Sequence, residues 1–144
     1  MINSVNVPTQ VVNSQSNILF NNDRVRTRRG ETCNGGWLFH DLGSGQFTLT
    51  NDKKCGCDVF EIQFNANVSS TTPGDLVFVI QNNGEAIGGT EMDYTVATAN
   101  AFGNISSSTL IKIPSGASAT VTVKNISLTS SNVKDANIII KKIA

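Results

Sequence analysis

Histidine, tryptophan and tyrosine each occur once in this chain of 144 residues, and charged residues make up only 15% of it. Each shortage excludes something. Catalysis by histidine, as acid, base or triad member, must run through His40 alone. Acidic and basic residues balance at 11 each, so no overall field draws the chain to nucleic acid or to an anionic membrane. The charged share is well under the roughly 25% usual in soluble domains. No apolar run approaches the roughly 20 residues that cross a bilayer; the longest, Leu76–Ile80 and Ile138–Ile140, have the length of strands. The opening Met1-Ile2-Asn3-Ser4 lacks the basic and then apolar run of a secretory leader, so folding in a cytoplasm is expected. No segment has helical periodicity, and neither a linker nor an internal repeat is detectable.

Asn, Ser, Thr and Gly stand where the charges are missing, residues suited to turns and to the wet side of strands. Hydrophobic residues still reach 39%, enough for one core in one domain of this length. Phe60-Glu61-Ile62-Gln63-Phe64-Asn65-Ala66-Asn67-Val68 alternates strictly over nine positions. Successive side chains of a strand point to opposite faces, so Phe60, Ile62, Phe64, Ala66 and Val68 share one face. Gln46–Thr50 and Ala119–Lys124 repeat the pattern. Leu76–Ile80 and Ile138–Ile140 are instead apolar on both faces and need cover on both, one cover being the core and the other a loop, a second subunit or a larger surface. Self-association is therefore the expected activity. Turn signals separate the runs: Thr72-Pro73-Gly74-Asp75, Pro114-Ser115-Gly116, and Asn83-Gly84, whose residues both tolerate positive φ and so predict a hairpin. About eight short strands with regular turns predict an all-β, antiparallel sandwich or barrel.

Residues 1–16 are polar with scattered Val5, Val7, Val11 and Val12, and read as a flexible arm or a first strand; the folded domain is expected over residues 17–144, starting at Asn17-Ile18-Leu19-Phe20. Arg24, Arg26, Arg28 and Arg29 form the one charge cluster, read as an exposed solvated loop or as a grip on the phosphates of nucleic acid or the carboxylates of an acidic capsid surface or neighbouring subunit. Without interleaved aromatics or a basic balance it points least to nucleic acid. Cys33, His40, Cys55 and Cys57 have the right donors for tetrahedral zinc but not a standard spacing. A disulfide from Cys33 to Cys55 or Cys57, and three unlinked thiols, remain open beside it. No cofactor is expected. His40-Asp41 ahead of Gly43-Ser44-Gly45 fits no nucleophile elbow, so no enzymatic role is expected. Trp37 and Phe39 are expected at a core edge or interface rather than as a sugar platform.

The order of Asn17–Asn21 (NILFN), Gly43–Thr50 (GSGQFTLT), Phe60–Ser69 (FEIQFNANVS), Asn83–Met92 (NGEAIGGTEM), Ser108–Gly116 (STLIKIPSG) and Ala136–Ile143 (ANIIIKKI) resembles the tumour-necrosis-factor/C1q-like jelly-roll superfamily, and within it the small members among bacteriophage virion proteins. The resemblance implies a homotrimer whose last strand lies in the inner sheet near a threefold axis. It also implies capsid decoration or a head fibre, with the N-terminal segment as an attachment arm to the major capsid protein or another virion protein, and with localisation on the virion after folding in the host cytoplasm. No collagen-like Gly-X-Y stalk is present. On this reading Phe64, Ile111, Ile138 and Ile140 make core or trimer contacts, and Val5, Val7, Val11 and Val12 dock to the particle. The alternative is a carbohydrate- or receptor-binding module of a phage tail or of a bacterial or spore surface, which an exposed platform at Trp37 or Tyr94 would favour.

Overall fold

A computed structural model describes residues 1–26 and 37–144. Among them every regular element is a strand: β1 (Ile2–Asn6), β2 (Gln10–Val12), β3 (Asn22–Arg26), β4 (Leu38–Phe39), β5 (Phe47–Thr50), β6 (Cys57–Ser69), β7 (Gly74–Asn82), β8 (Glu85–Ala86), β9 (Met92–Val96), β10 (Gly103–Pro114), β11 (Ser118–Asn125) and β12 (Ser131–Lys142). They form two antiparallel sheets. The first runs β10-β6-β12-β1-β3, with β2 also on β12; the second runs β4-β5-β11-β7-β8, with β9 also on β7.

The alternating run builds β6 as the sequence predicts. Phe60, Ile62, Phe64, Ala66 and Val68 are all buried, while Glu61, Gln63, Asn65 and Asn67 face outward. In the opposite sheet Phe47 and Leu49 of β5, Leu76, Phe78 and Ile80 of β7, and Val121 and Val123 of β11 close the sandwich over them. Phe20, in the connection after β2, joins the sheets by edge contacts to Phe47 (5.4 Å) and Phe64 (6.4 Å). Edge-to-face pairs of this kind add about 0.5–1.5 kcal/mol beyond the area they bury. Asn83 and Gly84 turn β7 into β8 with φ of 53° and 82°, the expected hairpin. The two-faced run of β7 is also explained: Val79 on the outer side is buried although it lies outside the core cluster.

Of the two readings expected for residues 1–16, a flexible arm or a first strand, the structure shows strands. The folded unit starts at Ile2, not Asn17, because β1 lies inside the first sheet between β12 and β3. Ile2 is fully buried and pairs with Ile140. Val5 and Val12 are buried too, so neither is free to dock, whereas Val7 and Val11 stay 61% and 67% exposed. Residues 1–16 are therefore not an attachment arm standing clear of the domain. β12, in the middle of the first sheet, is bulged where Asp135 takes a φ of 51° and its N–H donates to the Val7 carbonyl.

Candidate functional site

The outer face of the first sheet is built from the polar half of each alternating strand. Strand register lines these residues into rows. One row runs Val25, Asn3, Ile139, Gln63, Ser108; the next runs Val5, Asn137, Asn65, Ser106. Asn67 and Asn104 continue the amide pattern beyond them, and the Asn104 amide donates to the Asn67 side chain at 3.2 Å. Asn3 donates to the Asn137 side chain and, at 3.2 Å, to the Ile138 carbonyl. The central rows thus carry amides, hydroxyls and the apolar Val25, Val5 and Ile139 but no charge. Charge appears at both margins, where Lys141 pairs with Glu61 at 2.7 Å and where Lys134 and Asp135 lie beside Asn67. The Lys141 ammonium, with the Gln63 amide, holds the Glu61 carboxyl below its ordinary range. A cleft of about 300 Å³ opens on this face between Asn3, Val5, Val7, Arg24, Asp135 and Asn137.

Of the two places expected for Phe64, Ile111, Ile138 and Ile140, core or trimer contact, the structure shows the core. The outward, half-buried member of the isoleucine run is Ile139. Sequence reasoning put weight on the largest side chains and passed over the amides between them. The signal for those amides was present, since alternation that assigns Phe60, Ile62 and Phe64 to one face assigns Glu61, Gln63 and Asn65 to the other.

His40 is buried and committed. Its ring stacks on Phe47 at 4.1 Å, Nδ1 lies 3.0 Å from Asp23 Oδ1, and Nε2 lies 3.1 Å from the Ser44 carbonyl oxygen. Both nitrogens face acceptors within the protein, so neither is directed at a metal or substrate. Among the described residues no group of three His, Cys, Asp or Glu side chains is placed to hold a metal ion. Cys55 and Cys57 are exposed and unlinked, and Cys33 lies outside the described residues. Of the arginines, Arg24 is exposed at the cleft, and Arg26 approaches Asp23 (3.5 Å) and donates to the His40 carbonyl (3.4 Å). Arg28 and Arg29 lie outside the described residues. Trp37 is buried against Phe60 at 5.2 Å, and half-buried Tyr94 packs over Gly103, so neither forms an exposed platform.

An ion cluster that the sequence does not disclose closes one end of the core. Asp58, fully buried at the start of β6, meets Lys142 at the end of β12 (2.5 Å) and Lys53 in the preceding loop (2.6 Å). Burial raises the Asp58 pKa, but hydrogen bonds and charge from Lys142 and Lys53 outweigh it, and the carboxyl sits below its ordinary range.

No protein-family model and no curated protein matches the chain. Among solved structures, the globular domain of zebrafish complement 1qA protein superposes with a TM-score of 0.61 at 12% identity, covering 96% of this chain and 94% of that one. Murine APRIL, in a crystal structure at pH 5.0, superposes with a TM-score of 0.53 at 13% identity, covering 92% and 98%. The fold is thus a jelly roll of the C1q/TNF type, nearly end to end.

Proposed function

We propose that this protein is a structural component of a bacteriophage particle, a homotrimeric jelly roll that serves as capsid decoration or head fibre. The observation that carries the self-association is the pair of uncharged rows at the centre of the first sheet's outer face. The centres of protein interfaces are depleted in charge, because desolvating an ion costs more than desolvating an amide that finds a partner. The rows around Ile139, Asn65 and Gln63 have that character, with the Lys141–Glu61 pair left at the rim. Threefold assembly is what the likeness to the C1q/TNF-type fold implies. The phage setting rests on the resemblance of the ordered segments to small virion proteins.

On this reading the chain acts by shape and burial. Three outer faces meet, and the particle is engaged by surfaces that remain open, among them the exposed Val7 and Val11. Quantitative mass spectrometry of gradient-purified particles tests the setting. The protein is expected there in fixed proportion to the major capsid protein. Its absence from intact particles, while abundant in the lysate that produced them, overturns the reading.

A further inference from the structure

The segment Cys55-Gly56-Cys57 has no part in the assembly just described. Both thiols are exposed and unlinked, Cys55 in the loop that leads into β6 and Cys57 at the first residue of that strand. A disulfide needs Cα atoms within roughly 4.4–6.8 Å of each other. A fully extended strand, rising about 3.3 Å per residue, holds alternate Cα atoms at the far end of that range. Here the chain bends over residues 54–56, and Gly56 takes a φ of 86°, a conformation that other residues rarely adopt. The chain is thus not extended between the two cysteines, and the glycine leaves no side chain between them.

The loop is also anchored at its back. The buried Asn51 side chain donates to the Gly56 carbonyl at 3.3 Å and to the Ile113 carbonyl at 3.0 Å, and it accepts from the Lys53 N–H at 3.1 Å. Lys53 is in turn drawn to Asp58. The cysteines are thus presented outward from a fixed base.

We propose that Cys55 and Cys57 form an exposed redox dithiol, a site of thiol–disulfide exchange with low-molecular-weight disulfides that closes into a Cys-Gly-Cys ring and clasps the loop. One thiolate attacks a sulfur of the incoming disulfide, forming a mixed disulfide and expelling one thiolate. The second cysteine then attacks the mixed disulfide, closing the ring and expelling the other thiolate. The protein loses two electrons and two protons, and the small disulfide becomes two thiols. So small a ring is strained, which places the bond among the readily reduced, exchangeable disulfides rather than the inert structural ones.

The test uses full-length reduced protein with glutathione disulfide as the probe, read by intact mass and peptide mapping. The expected product is about two mass units lighter than the reduced chain, with the bond between Cys55 and Cys57, unchanged in the Cys33→Ser variant and returned to the dithiol by reduced glutathione. In Cys55→Ser, which cannot close the ring, a glutathione adduct on Cys57 is expected to persist. Tryptic cleavage after Lys54 is expected to slow several-fold on oxidation. Stable glutathione adducts on both cysteines, pairing of either with Cys33, or no reaction at either thiol overturns the proposal.

Discussion

Replacing Ile2 with alanine separates a built-in strand from a loose arm. Ile2 is fully buried, pairs with Ile140 on β12, and belongs to the core cluster. The substitution removes three carbons, about 0.8 kcal/mol each by transfer, and leaves a cavity besides; isoleucine-to-alanine changes in cores cost about 2–5 kcal/mol. Ile2 lies one residue from the chain end, where the backbone relaxes more easily, so about 2–3 kcal/mol is expected. For a domain of this length that lowers Tm by about 6–15 °C. Val7→Ala is the control: its side chain is 61% exposed, and an effect within about 0.5 kcal/mol is expected. Both variants are compared with wild type by thermal unfolding at one protein concentration, since assembly makes Tm depend on concentration. If Ile2→Ala melts within about 2 °C of wild type, β1 is not part of the cooperative unit and the corrected boundary is wrong.

Asp58→Asn leaves two ammonium groups facing a neutral side chain. Lys53 is 42% exposed and can turn to water, so the expected cost at pH 7 is about 1–3 kcal/mol, less than for a wholly buried pair. The Asp58 pKa is lower folded than unfolded, so its contribution is complete above the ordinary carboxylate range and fades as pH falls through the folded value. Urea unfolding from pH 7 to about pH 3 is therefore expected to bring wild type and Asp58→Asn together. A gap that stays constant with pH contradicts the ion cluster. Gly103→Ala places a Cβ 2.1 Å from the Tyr94 ring; a loss of about 1–3 kcal/mol is expected. In a Tyr94→Ala background the same change is expected to cost much less, and a double-mutant cycle on chemical unfolding reads the difference.

The sandwich was legible wherever one strand face is apolar and the other wet, as in Phe60–Val68 and Ala119–Lys124. β1 was legible only as one of two readings, an arm or a first strand, because its buried positions are partly polar. Ser4 is buried and its hydroxyl donates to the Asn22 carbonyl at 3.3 Å, Asn6 is buried and donates to the Pro8 carbonyl at 2.9 Å, and the β1–β3 register shifts between Asn3 and Ser4. Tertiary hydrogen bonds replace the alternation that periodicity detects. The ion cluster was hidden for another reason: Lys142 and Asp58 are 84 positions apart and meet only because β12 pairs with β6. His40 and Asp23, 17 positions apart, meet without strand pairing, Asp23 in β3 of the first sheet and His40 just after β4 of the second. The outer face was half legible, since its residues follow from the alternation, but the continuity of its uncharged rows across β1, β12, β6 and β10 appears only once the strand order is known.

Sedimentation velocity at micromolar concentration, on wild type and on Ile139→Arg, tests the assembling face most directly. Ile139 points outward beside Asn3 and Gln63, so arginine there leaves the core intact while adding a charge to the centre of the proposed contact. Wild type is expected to sediment as a species of three times the 15.3 kDa chain mass, and Ile139→Arg as a folded monomer with unchanged far-ultraviolet circular dichroism. A wild-type monomer, or a trimer that Ile139→Arg leaves undisturbed, contradicts the account.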